Sequence, residues 1–221
     1  MNRTPLPARR FDAVLFDMDG TLLSSIACAE RVWAAWARRH GVDVARFLPT
    51  IHGKRAVETI AALGRPDLDV EAEAAWVLQA ELDDVGGIEP IRGAPALLAA
   101  LPAARWGVVT SAPRPLALRR LAAAGLPAPP MMVSAEDVVH GKPAPEGFLL
   151  GAARLGAGVA DCLVFEDAPA GIAAAEAAGA ALVVVTATHA HPAATPHPCI
   201  RDYEAVAMTV DAAGRIGFAP R

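Results

Sequence analysis

Five short runs of apolar, β-branched-rich residues stand out along the chain: Ala13–Phe16, Trp106–Val109, Met131–Val133, Cys162–Phe165 and Ala181–Val185. Continuous apolar character over so few residues predicts strands buried on both faces, as in a parallel sheet. Between most of them lie Ala/Leu-rich stretches of helical pattern, Pro95–Leu101, Pro115–Ala124, Glu146–Leu155 and Ala170–Ala178. Strands alternating with helices predict an α/β fold, a Rossmann-like doubly wound parallel sheet wrapped on both faces. One interval breaks the alternation. Residues 17–105 separate the first run from the second, and most of that interval has helical pattern, in Ala27–His40, Lys54–Leu63 and Val70–Leu82. This is too long for a crossover helix and predicts a helical subdomain over residues 25–89, inserted into a core made of 1–24 and 90–221. Ser24-Ser25 bounds the insertion on one side; Gly86-Gly87, Pro90 and Gly93 bound it on the other. Trp33, Trp36 and Trp76 fall at helical spacing and read as packing inside it. His189–Cys199 reads as a Pro/His-rich flexible loop and Met208–Phe218 as a terminal hairpin around Ala213-Gly214.

Composition narrows the choice of function. With 221 residues, 54% of them hydrophobic, the chain is long enough for a core of ordinary size and too apolar for disorder. A net charge of −4 argues against sequence-independent nucleic-acid binding, which needs a basic footprint. No apolar run approaches the roughly 20 residues that span a bilayer, and Met1–Arg10 has no apolar stretch resembling a signal peptide. Cys28, Cys162 and Cys199 are few and unevenly placed, which predicts neither a disulfide framework nor a zinc site and fits a cytoplasmic protein. Lys54 and Lys142 are the only lysines in a chain otherwise supplied with arginine, which draws attention to both.

Ligands of doubly wound sheets bind outside the carboxyl ends of the strands. The first run ends in Phe16-Asp17-Met18-Asp19-Gly20-Thr21, the second in Val109-Thr110-Ser111-Ala112 and the fourth in Phe165-Glu166-Asp167. Four carboxylates and a hydroxyl pair then converge on one edge. Like charges about 4 Å apart repel by about 4 kcal/mol at an effective dielectric of 20, so the cluster requires positive charge. A hard divalent cation and the ammonium of Lys142, in His140-Gly141-Lys142-Pro143 ahead of a predicted helix, are the candidates; Mg²⁺ fits a site of one or two carboxylates plus substrate phosphate.

Taken together and in this order, Asp17-Met18-Asp19-Gly20-Thr21, Thr110-Ser111, Lys142-Pro143 and Glu166-Asp167 resemble the four ordered motifs of the haloacid dehalogenase (HAD) superfamily. The helical insertion is similar to that superfamily's small helical cap. Within it, the chain looks most like the sugar-phosphate phosphatases and β-phosphoglucomutase, with Ile51-His52-Gly53-Lys54 nearest to bacterial sugar phosphatases. The resemblance implies catalytic roles for Asp17 as nucleophile, Asp19 as acid and base, Ser111 and Lys142. It implies Mg²⁺ held by Asp17, by the backbone carbonyl of Asp19, by Asp167 and by Glu166 directly or through water. Ser111, with the backbone N–H of Ala112, and Lys142 would bind the phosphoryl group, and it favours Ser111 over Thr110 there. Lys54 sits where the family's cap meets its substrate; His52 reads equally as a substrate contact or a turn residue, and Arg55 as solvent-facing.

The activity so implied is Mg²⁺-dependent hydrolysis of a small phosphorylated sugar or polyol through an aspartyl-phosphate. The alternative is a phosphomutase, an isomerase sharing all four motifs; the cap loop reads His-Gly-Lys, unlike the mutase's Gly-Val-Ser-Arg type. An acid at position 19 favours phosphoryl transfer over carbon–halogen cleavage, where the leaving halide needs no proton. Neither Gly53-Lys54 nor Gly141-Lys142 belongs to a phosphate-binding P-loop, and a Gly-x-Ser-x-Gly nucleophile elbow and a dinucleotide fingerprint are absent. The expected partner is a small phosphorylated metabolite, with neither nucleic acid nor membrane, for a monomer or small homo-oligomer.

Overall fold

A computed structural model describes residues 5–191 and 195–221. Met1–Thr4, and Pro192 to Ala194 within the Pro/His-rich loop, lie outside the described residues. The chain begins with strand β1 (Ala13–Phe16) and a two-residue strand β2 (Leu23–Ser24), then four helices, α1 (Ile26–Arg39), α2 (Val44–Phe47), α3 (Ala56–Ala61) and α4 (Val70–Asp83). It continues through β3 (Glu89–Pro90), α5 (Ala94–Ala100), β4 (Trp106–Val109), α6 (Arg114–Ala123) and β5 (Met132–Val133). Next come α7 (Glu146–Arg154), β6 (Cys162–Glu166), α8 (Pro169–Ala178), β7 (Ala181–Val185), β8 (Cys199–Ile200) and a hairpin of β9 (Val206–Val210) and β10 (Ile216–Pro220).

The main sheet has six parallel strands in the order β5-β4-β1-β6-β7-β8. It is the doubly wound sheet that the alternation of apolar runs and helices predicts. β1 lies at its centre, with Leu15 opposite Gly107 of β4 and Val164 of β6. Successive side chains of a strand point to opposite faces. Val14 and Phe16 therefore join a cluster covered by Leu97 and Leu98 of α5 and Leu116 and Leu121 of α6. Ala13 and Leu15 join a second, covered by Phe148 of α7 and Ala174, Ala175 and Ala178 of α8. This double burial is why β1 reads as an unbroken apolar run.

The helices between β2 and β3 have an apolar cluster of their own, in which Val32, Trp33, Trp36, Phe47, Ile60 and Val77 are buried. β2 and β3 pair antiparallel, Leu23 with Pro90 and Ser24 with Glu89, so the chain leaves and re-enters the sheet region at one point. Trp33 and Trp36 pack as their spacing predicts. Trp76 does not: it is 38% exposed, with the guanidinium of Arg39 over its ring, because the inner face of α4 is taken by Ala74 and Val77. β8 is the other departure. Cys199–Ile200, beginning at the last residue of the stretch expected to be loop, adds an edge strand beside Val184 and Val185, a pairing too short to leave a periodic signal. The predicted hairpin is present as β9 and β10. Among the described residues, no helix is long and apolar enough to cross a membrane.

Candidate active site

Because β1 lies between β4 and β6, the segments leaving those three strands emerge side by side. Asp17 follows β1 and donates its backbone N–H to Phe165 O (2.9 Å); Glu166 ends β6; Thr110 follows β4. Lys142 comes from the segment between β5 and α7, and its Nζ lies 2.6 Å from Asp17 Oδ1 and 2.8 Å from Glu166 Oε1. All three side chains are buried. The second oxygen of Glu166 accepts the backbone N–H groups of Asp167 (2.5 Å) and Ala168 (2.6 Å), so both its oxygens are occupied. Helix α8 makes room for this carboxylate with Gly171, where a Cβ would lie 1.5 Å from Glu166 Oε1. Asp167 accepts from Thr21 Oγ1 at 3.1 Å. It packs so tightly on Gly20 that a Cβ there would stand 2.0 Å from Oδ2, and Gly20 also has φ +93, where a side chain is strained.

The electrostatics follow from burial and from three carboxylates facing one ammonium. Burial, opposed by Lys142 and reinforced by Glu166, pushes the Asp17 carboxyl up to about 7. Asp167 is raised well above the ordinary range, again by burial and then by Glu166 and Asp17. Burial opposes the charge on Lys142, but Asp17 and Glu166 outweigh it and hold the ammonium above its usual range. Oxygens of Asp17, Glu166 and Asp167 lie within 4.8 Å of one another. Three hard oxygen donors that, once ionised, carry more negative charge than one lysine balances, closed in against Gly20, form a donor set suited to a small divalent cation.

Asp19 is held differently. Its Oδ1 accepts Ser25 Oγ at 2.5 Å and lies 3.0 Å from an Arg120 guanidinium nitrogen, and a second nitrogen of Arg120 lies 3.0 Å from Glu81 Oε1. Ser25 precedes α1, Arg120 belongs to α6 and Glu81 to α4. None of the three is marked by the sequence motifs. One arginine among several in α6, and one glutamate in an acidic α4, give no local sign of meeting in the interior.

A cavity of about 460 Å³ opens over this group. Asp17, Asp19, Asp167, Thr110, Ser111 and Ala112 line its floor, and Trp33, His52, Gly53, Lys54 and Glu81 line the side formed by the inserted helices. The Ser111 hydroxyl donates to Gly53 O (3.0 Å), and Thr110 Oγ1 accepts the Ala112 N–H (3.1 Å). In this arrangement the Ala112 N–H is occupied, while the Ser111 hydroxyl faces the Ile51–Lys54 loop. His52 is half-buried with Nε2 3.7 Å from Glu30; Lys54 is exposed at the rim, and no ion pair to it is found among the described residues. Arg55 is not solvent-facing. It pairs with Glu58 and donates to Val139 O at 3.0 Å, tying the insertion to the segment before Lys142, a contact that its exposed-looking sequence neighbours conceal. His189 was expected only as part of a loop. It lines the cavity with Nε2 2.9 Å from Asp167 O.

Sequence and fold relate the chain to known proteins. The profile of the haloacid dehalogenase-like hydrolases matches residues 11–179. Hexitol phosphatase A of Escherichia coli strain K12 is 43% identical over 191 residues, covering 85% of this chain and 87% of that one. Validoxylamine A 7'-phosphate phosphatase of Streptomyces hygroscopicus subsp. limoneus is 37% identical, covering 81% and 87%. Among solved structures, a hydrolase from Pseudomonas syringae superposes with a TM-score of 0.71 at 28% identity, covering 80% of this chain and 84% of that one. The chain belongs to the haloacid dehalogenase-like hydrolases and has their α/β fold.

Proposed function

We propose that this hydrolase is a Mg²⁺-dependent phosphatase that cleaves the phosphate monoester of a small sugar or polyol, with residues 25–89 acting as the cap over residues 1–24 and 90–221. The observation that carries the proposal is the state of Asp17. One of its oxygens is held by Lys142, and for the other no hydrogen bond is found among the described residues, where the carboxylate lines the cavity. Kinship with phosphatases named for a hexitol and for a 7'-phosphate supports the substrate class.

The residues divide the work by position. Asp17 attacks phosphorus through its free oxygen, forming an aspartyl-phosphate as the ester oxygen leaves. Asp19 gives that oxygen its proton and afterwards takes one from the water that hydrolyses the acyl phosphate. Ser111 turns its hydroxyl from Gly53 to the phosphoryl oxygens, and Lys142 offsets charge beneath Asp17. Asp17, Asp167 and the backbone carbonyl of Asp19 would hold Mg²⁺, with Glu166 behind them fixing Lys142. When bound, the cation supplies positive charge between an anionic nucleophile and an anionic substrate. Trp33, His52 and Lys54 offer one apolar face with polar groups beside it, which suits a polyhydroxylated leaving group.

Phosphate release measured across a panel of phosphate esters tests this. Hexitol and sugar phosphates are expected to give the highest kcat/KM, chelation of Mg²⁺ to abolish it, and Lys54→Ala to raise KM more than it lowers kcat. Conversion of a sugar phosphate to its isomer instead of to free phosphate would move the assignment to a mutase. No phosphate release from any ester in the presence of Mg²⁺ would end it.

Metal binding has a separate signature. A buried carboxyl raised above its unfolded value stabilises the fold only while protonated, so the metal-free protein loses stability as pH rises toward about 7 for Asp17. A cation bound only by the folded state restores it and requires the carboxylates deprotonated. Thermal melts are therefore expected to show a larger Mg²⁺-induced gain at alkaline than at acid pH. A gain independent of pH would place the ion elsewhere.

A further inference from the structure

Arg120 stands on the core helix α6, yet it is where a core carboxylate and a carboxylate of the inserted helices meet. Its two terminal nitrogens are each 3.0 Å from a carboxylate oxygen, one of Asp19 and one of Glu81, and only 6% of its side chain is exposed. Its buried Nε has no hydrogen-bond partner among the described residues. Burying a guanidinium, with one N–H left unpaired, is costly, and an apolar residue packs such a site at no electrostatic cost. Leu116, Ala117 and Leu121 do so at neighbouring buried positions of the same helix. Packing alone does not account for a charge at this position.

What the charge does is visible at Asp19. Ser25 Oγ and Arg120 both bind Oδ1, and no hydrogen bond to Oδ2 is found among the described residues. Two donors on one oxygen fix the rotation of the carboxylate and leave the other oxygen for proton transfer. Both supports lead toward the insertion: Ser25 sits where α1 begins, and Arg120 is gripped from α4 by Glu81. α4 packs on α6, so seating the helices on the core completes the ion triad.

We infer that Arg120 is a positioning residue for Asp19 and that Glu81 couples this positioning to the seating of α4. Arg120 acts through Asp19 and takes no proton itself. The inference rests on the reading of Asp19 as the group that protonates the leaving oxygen, and the experiment separates the two.

The measurement is kcat/KM for para-nitrophenyl phosphate, whose leaving group departs without a proton, and for a hexitol monophosphate, whose leaving group needs one. Wild type, Asp19→Asn, Arg120→Met, Arg120→Lys and Glu81→Gln are compared. Misplacing a catalytic group by about 1 Å costs about 10²-fold, so Arg120→Met is expected to lose about 10²-fold on the hexitol ester, at least about tenfold more than on the aryl ester. The loss should lie in kcat rather than KM. Glu81→Gln shows the same selectivity with a smaller loss, and Arg120→Lys recovers part of it. Equal losses on both esters, or a loss confined to KM, overturn the inference. Should Arg120→Met fail to fold, Glu81→Gln decides alone, and an unchanged ratio between the two esters overturns it. If Asp19→Asn is selective while the Arg120 and Glu81 variants are not, the positioning role falls and the reading of Asp19 stands. If Asp19→Asn is itself unselective, that reading falls first.

Discussion

Asp17→Asn is expected to remove turnover on every phosphate ester, by about 10⁴-fold or more, while the protein stays folded. Asparagine preserves the shape of the side chain and can still accept a hydrogen bond from Lys142, so the local packing has no reason to change. What it lacks is an anionic oxygen to attack phosphorus. The substitution also takes one negative charge from a buried group in which three carboxylates face one ammonium, relieving repulsion on Glu166 and Asp167. Stability is therefore expected to hold at neutral pH, and the Mg²⁺-induced gain in melting temperature to shrink. Phosphate release, and mass spectrometry of protein quenched during turnover, check it: the wild type should carry one added phosphoryl group and the variant none. Turnover retained within about tenfold of wild type would show that another group is the nucleophile.

Lys142→Met should disable the protein in two ways at once. The ammonium lies against both Asp17 and Glu166 in a buried site, and breaking such a pair by removing one partner costs about 3–5 kcal/mol. The sign of its pH dependence follows from the carboxyls. Lys142 is the influence that lowers the Asp17 carboxyl against burial, so its loss raises that group beyond about 7. A raised carboxyl contributes stability below its unfolded value and loses it as pH climbs through the folded one. Urea unfolding of the variant is thus expected to show the deficit growing from acid to alkaline pH. The double variant Lys142→Met/Glu166→Gln should recover much of the stability and none of the activity, because one charge needing a partner is gone while the phosphoryl group still lacks its cation. Recovery of activity in the double variant would make Lys142 a structural counter-ion only.

The reading from sequence and the structure agree where the signal is local. β1, β4 and β7 span the residues that their apolar runs mark, because a strand covered on both faces has no polar position to blur its ends. Asp17, Thr110 and Glu166 could be placed at strand ends for the same reason. The agreement thins where a feature depends on a partner far along the chain. Arg120 and Glu81 carry no mark of burial. Glu166, expected beside the metal, has an oxygen within 4.8 Å of those of Asp17 and Asp167, but it also accepts from Lys142 and from two backbone N–H groups, partners that its place in the sequence does not mark. Arg55 and Trp76 exchanged expectations, one engaged by the core and the other exposed, since the face a helix buries depends on its neighbours.

The amino-acid sequence by itself determined a parallel sheet with a helical insertion after its first strand, and the acids, hydroxyls and lysine that its strand ends and following segments would present. Periodicity and strand-end position are properties of a few consecutive residues, so they survive without a third dimension. Only the tertiary structure decided which charges neutralise one another. Lys142 reaches Asp17 across 125 positions of chain, and Arg120 joins Asp19 to Glu81, because sheet order and the seating of α4 bring those groups together. In a low-dielectric interior that pairing fixes where each carboxylate is held and which of its oxygens is left for chemistry.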